Sequence, residues 1–164
     1  MGRSSPGLFI VEIPVPCRFA AVFALFCAAL PAADPEVFQN SDGVAAAINQ
    51  DGTLNAPQNP APAGSIVSIS ATGIGLPPPG LIPPDGQVAA SPQDFNCCIV
   101  QRLDAAGTDA VLYSGAAPGM VAGIVQINFR IDESANGSCG GTFAVATRDL
   151  SAASSPVRIF ACAL

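Results

Sequence analysis

The stretch Ala110–Ile131, AVLYSGAAPGMVAGIVQINFRI, constrains the chain more than any other. From Val121 the odd positions read Val121, Gly123, Val125, Ile127, Phe129 and Ile131, while Gln126, Asn128 and Arg130 stand between them. Successive strand residues point to opposite faces, so this period-2 alternation predicts a strand with one buried and one wet face. Val125, Ile127 and Phe129 are its expected core residues. Ala110–Tyr113 is a second, shorter apolar run. The Gly-Ala-Ala-Pro-Gly segment between the two is expected to leave the ladder, because Pro118 has no N–H and glycines favour turns. Two strands joined by an apolar turn would form the centre of a β-domain.

The remaining apolar runs are short and regularly spaced. Val44–Ile48 and Thr53–Asn55 flank Asn49-Gln50-Asp51-Gly52, and Asp-Gly between apolar runs is a hairpin signal. Ala56–Gly64 is a proline-rich connector. Ser65–Ala71 reads as a strand ended by Thr72-Gly73-Ile74-Gly75, and Leu76–Pro92 as a long polyproline-rich surface loop. Cys97–Leu103 reads as a strand with Ile99 and Leu103 on one face and Val100 and Arg102 on the other. Ala105-Ala106-Gly107 turns the chain into the opening pair. Asp132–Gly141 is a polar loop whose Asn136-Gly137-Ser138 fits a glycosylation sequon, although an Asn-Gly turn suffices. Phe143, Val145 and Thr147 alternate with Ala144, Ala146 and Arg148. Val157–Cys162 is the last strand. Sixteen prolines and sixteen glycines approach a disordered composition, but half of the residues are hydrophobic. The pattern predicts an all-β, immunoglobulin-like β-sandwich of about seven strands over residues 34–164. Residues 34–64 form its N-terminal hairpin and connector. The Cys…Trp…Cys pattern of true immunoglobulin domains is missing, since the chain has no Trp.

Phe19–Leu30 is a 12-residue apolar block preceded by Arg18 and followed by Pro31-Ala32-Ala33-Asp34. It is shorter than the ~20 residues that span a bilayer, and it has the order of a secretory signal peptide. Residues 1–33 are therefore expected to be a signal peptide, with the mature chain secreted or at the cell surface. Cys97, Cys98, Cys139 and Cys162 are then an even set in an oxidising compartment, expected to form two disulfides. A bridge between the adjacent Cys97 and Cys98 would strain the peptide unit, so each is expected to pair with Cys139 or Cys162. A four-thiolate metal site is disfavoured, because no C-x-x-C spacing occurs.

The net charge of −6 supplies no basic stripe for phosphates, which argues against nucleic-acid binding. There is no His, so the usual general base, Ser-His and Cys-His pairs and the commonest metal ligand are lacking. Asp132-Glu133 is the only adjacent acidic pair and reads as a solvated turn rather than the acid–base pair of a secreted hydrolase. Asn49, Asp51 and Asn55 imitate part of a calcium loop, but no Glu follows until Glu133. No catalytic residue, cofactor or metal is expected. The expected role is a non-catalytic extracellular module with a structural, adhesive or surface-assembly function and a cell-envelope protein or glycan as partner. Tyr113, Pro118 and Met120 mark its candidate contact loop. A carbohydrate-binding module is the alternative, weakened by the single Tyr and the absence of Trp.

Two blocks carry a resemblance. PEVFQNSDGVAAAINQDGTLNAPQNPAPAGSIVSISATGIG (Pro35–Gly75) and VLYSGAAPGMVAGIVQINFRI (Val111–Ile131) resemble the Solibacter-type C-terminal domain of large exported acidobacterial proteins. The resemblance implies an extracellular, β-rich, immunoglobulin-like module and assigns no catalytic or ligand-binding residue. It also implies that the Tyr-Ser-Gly-Ala-Ala-Pro-Gly connector is architectural. Phe95–Leu103, with its paired cysteines, departs from the family's glycine-containing strand ending.

Overall fold

A computed structural model describes residues 34–74, 87–104, 108–132 and 139–162. The signal-like segment, most of the polyproline-rich loop, the 105–107 turn and the 136–138 sequon lie outside the described residues. Within them every regular element is a β-strand. The long strands are β4 (Ile66–Thr72), β5 (Cys98–Arg102), β6 (Thr108–Ala116), β7 (Val125–Arg130) and β8 (Gly141–Thr147). Shorter ones are β1 (Glu36–Val37), β2 (Ala47–Asn49), β3 (Ala61–Pro62), β9 (Val157–Ile159) and β10 (Ala161–Cys162).

Eight of them form one antiparallel sheet in the order β1-β4-β7-β6-β5-β8-β9, with β2 also on β4. The two ends of this path meet. Val44 bridges Arg158 in parallel. Ala45 N–H donates to the Arg158 carbonyl at 3.0 Å, and Arg158 N–H to the Gly43 carbonyl at 2.8 Å. The sheet is thus a sandwich that approaches a closed barrel, and closure removes the exposed edges that invite strand addition. β3 and β10 pair in parallel beside it.

β7 behaves as its alternation requires. Val125, Ile127 and Phe129 are buried, Gln126 and Asn128 half-buried and Arg130 exposed. It pairs with β4 through Val67↔Phe129 and Ile69↔Ile127, and with β6 through Val111↔Phe129 and Ser114↔Ile127. The Phe129 and Phe143 rings meet at 5.8 Å and 50°, joining the two halves of the core. Ile69, Ile131, Ile159, Val67 and Val145 complete it.

Three expectations are corrected. Val121–Ile124 is not strand: Met120 N–H closes a turn on the Ala117 carbonyl at 3.0 Å, Gly123 takes φ 97°, and Val121 is exposed. Conversely, β6 continues through Gly115 and Ala116, which face Gln126 and Val125, so the turn starts only at Ala117. A register shift between Val111 and Tyr113 lets the strand run on. The final run splits at Phe160. Its N–H turns to Asn55 Oδ1 at 2.8 Å, and its C=O accepts both Asn55 Nδ2 at 2.7 Å and the Ala61 N–H of β3 at 2.8 Å, where β10 begins. In β5, Cys98 and Val100 are the core residues, and Leu103, just beyond its end, is exposed. The 49–52 hairpin forms as expected, closed by Asn49 N–H to the Thr53 carbonyl at 2.8 Å.

Phe129 is fully buried at the junction of both halves. Phe129→Ala is expected to cost about 3–5 kcal/mol in urea unfolding. Leu54→Ala, at a side chain that is 61% exposed, should stay within about 0.5 kcal/mol.

Candidate functional site

The densest unusual chemistry among the described residues is the corner that leads into β5. Residues 93–97 lie across the end of β6 as an added strip. Phe95 N–H donates to the Ser114 carbonyl, and Ala116 N–H to the Gln93 carbonyl, both at 2.9 Å. Gly115 permits this approach, since a Cβ there would collide with the Gln93 carbonyl. Asp94 Oδ1 accepts Asn96 N–H at 2.9 Å and Ser114 N–H at 3.2 Å. The chain then reverses at Asn96, whose φ of 49° is left-handed, a conformation that Asn tolerates better than most residues.

Arg148 fixes this corner from β8's side. Its Nε donates to the Asn96 carbonyl at 2.8 Å, its guanidinium also binds Asn96 Oδ1, and its N–H donates to the Cys97 carbonyl at 2.9 Å. On the β6 side, Cys97 N–H donates to buried Ser114 Oγ at 3.0 Å. The outcome is two thiols brought together, Cys97 Sγ and Cys98 Sγ 2.8 Å apart. Cys98 is fully buried and Cys97 half-buried. The contact between the two thiols, with help from Ser114, lowers the Cys97 thiol to about 7 against the cost of its burial. The same hydrogen bond, together with burial, pushes the Cys98 thiol up.

The other two cysteines pair with each other, Cys139–Cys162, with Cα atoms 4.4 Å apart. The expected cross-pairing with Cys97 and Cys98 is corrected by sheet register. Cys98 stands opposite Thr147 at one end of β8, and Cys139 precedes Gly141 at the other. A rise of ~3.3 Å per residue separates those ends by about 20 Å. The same separation removes a four-thiolate metal site.

No family model matches the chain, and no curated protein or solved structure matches it. What the remaining candidate residues do is read from their own contacts.

In the candidate contact loop, the Tyr113 hydroxyl donates to the Ala116 carbonyl at 2.6 Å and accepts Gln93 N–H at 3.1 Å. Burial raises its pKa. Ala116 and Ala117 are buried, whereas Pro118 and Met120 are exposed. The calcium-like residues are engaged in local hydrogen bonds. Asn55 Nδ2 donates to Asn49 Oδ1 at 2.8 Å, and Asp51 Oδ1 accepts from the Thr53 hydroxyl and N–H at 2.6 and 3.0 Å. Asn55 is thereby the stitch between the N-terminal hairpin and the last strands. Of the acidic pair, Asp132 is exposed, and Glu133 lies outside the described residues.

Sequence reasoning missed one charged pair. Arg102 Nη2 lies 3.4 Å from Asp109 Oδ1, both side chains nearly fully buried, and the guanidinium sits 5.1 Å over the Phe143 ring. Asp132 N–H also donates to Asp109 Oδ1 at 3.0 Å. Burial raises the Asp109 pKa, opposed by Asp132 N–H and Arg102. Strand alternation gives the face of a charged residue but not its partner on the next strand, so the pair had no sequence signal.

These carboxyls give opposite pH dependences. Asp109 holds its proton more tightly folded than unfolded, so its contribution is complete below the ordinary 3.8 and lost as pH rises through the raised value. Asp149, lowered to about 2 by Thr147 and Ser151, contributes above 3.8 and loses that contribution as pH falls towards 2. The urea midpoint should therefore rise from pH ~2 to ~4 and then decline. Asp109→Asn should abolish the decline and keep the rise. A decline that survives the substitution assigns it to another group.

Proposed function

We propose that the chain is an exported, non-catalytic, immunoglobulin-like β-sandwich module with a structural, adhesive or surface-assembly role, akin to the Solibacter-type C-terminal domain. The observation that carries this reading is the Cys139–Cys162 bond, half of it exposed at Cys139. Such bonds form and persist in oxidising compartments. The bond also staples β10, a strand of only two residues, to the loop that enters β8. The signal-like Phe19–Leu30 block supports the same compartment.

The contact surface is the outer part of the 117–123 turn. Met120, Val121 and, bridged to it, Val88 are 41%, 49% and 56% exposed. Their base is fixed: Ala89 N–H donates to the Met120 carbonyl, Gly119 N–H to the Ala89 carbonyl and Ala122 N–H to the Gln87 carbonyl, each at 2.9 Å. A fixed apolar tip of this kind favours protein contact. The carbohydrate alternative is weaker, because Tyr113 spends its hydroxyl on holding this turn rather than presenting an open platform.

The full chain produced with its N-terminus intact should be recovered from an oxidising compartment without residues 1–33, with Cys139 and Cys162 bonded, and should sediment with bacterial cell envelopes. Met120→Asp and Val121→Asp should each weaken that retention about tenfold, the equivalent of one apolar contact, with an unchanged Tm. A chain retained in the cytoplasm overturns export, and one that ignores envelopes overturns the adhesive role.

A further inference from the structure

We propose that Cys97 and Cys98 form a redox-active vicinal dithiol that closes to a disulfide by exchange with an external disulfide. The geometry rests on three independent supports. The sulfurs stand 2.8 Å apart, so the closure to the ~2.05 Å of a disulfide is short. The corner that brings them there is imposed from outside the pair, by Arg148 on Asn96, Asp94 on Asn96 and Ser114 on Cys97 N–H. The only other cysteines among the described residues are already bonded to each other.

The pair is also asymmetric in the way exchange requires. Cys97 is the half-buried member of the pair, within reach of an external disulfide, and its thiol is lowered to about 7, so it is the attacking sulfur. Cys98 is fully buried behind it and cannot meet an external disulfide first. Cys97 thiolate, having released its proton to solvent, attacks one sulfur of R–S–S–R. The external S–S bond breaks, a mixed disulfide forms on Cys97, and the first R–S⁻ leaves and takes up a proton from solvent. Cys98 then attacks Cys97 Sγ, the mixed disulfide breaks, and the Cys98 proton goes to the second leaving thiolate. The net reaction oxidises the two cysteine thiols to one disulfide and reduces R–S–S–R to two R–SH. The product ring contains the Cys97–Cys98 peptide unit. Its strain is what keeps the bond reducible, and strained, accessible disulfides are the labile ones.

This inference does not depend on export, because it is tested in a defined glutathione buffer. The full chain is equilibrated in mixtures of reduced and oxidised glutathione, alkylated, digested without reduction and mapped by mass. The peptide carrying residues 97–98 should lose both alkyl groups and about two mass units in oxidising mixtures, and regain both alkyl groups in reducing ones. Cys139–Cys162 should stay bonded in mixtures that already open Cys97–Cys98. Two variants test the order of attack. Cys98→Ser should accumulate one glutathione on Cys97, whereas Cys97→Ser should leave Cys98 unmodified while the chain stays folded. The proposal is overturned if both thiols remain alkylatable throughout, if either is found bonded to Cys139 or Cys162, or if the two variants take up glutathione equally.

Discussion

The double pairing of β7 is the constraint on which the rest of the structure depends. β4 and β6 flank it on either edge, and its buried set of Val125, Ile127 and Phe129 is read simultaneously by both neighbours. A slip of one residue on either side would turn Phe129 to solvent and Asn128 to the core. The register of three strands is therefore set by one hydrophobic alternation. Phe129 then reaches Phe143 on β8, so the same side chain ties this part of the sheet to the part built from β5, β8 and β9.

Closure is achieved differently, with polar groups. Arg158 exchanges backbone hydrogen bonds with Gly43 and Ala45, and its guanidinium donates to the Asp42 carbonyl at 2.8 Å. Asn55 binds both backbone groups of Phe160 where the last strand breaks, sharing the carbonyl with Ala61 N–H. A buried amide side chain suits that task, because it offers a donor and an acceptor together and leaves no backbone group orphaned. These contacts join residues more than a hundred positions apart. The Cys139–Cys162 disulfide adds a covalent tie a few residues further on.

The corner at Cys97 shows how local rules combine into chemistry. Gly115 lets the 93–97 strip approach β6, Asn96 takes the left-handed turn that the strip needs, and Arg148 arrives from β8 to fix the result. None of these residues is reactive. Together they remove the alternation that would otherwise send adjacent strand side chains to opposite faces, because Cys97 stands just outside the regular strand that Cys98 opens.

The sequence by itself determined the all-β class, the 49–52 hairpin and the core face of β7, because periodicity and turn chemistry are local properties of the chain. It misplaced the start of that strand and the end of β6, since the extension of β6 to Ala116 depends on a register shift and on Gln93 lying across Gly115. Only the tertiary structure decided the cysteine pairing. Four cysteines in a sequence carry no distances, whereas the β5–β8 register puts about 20 Å between the two pairs. The Arg102–Asp109 contact was decided the same way. Alternation states which face a side chain occupies, and pairing between strands remote in sequence states what it meets there.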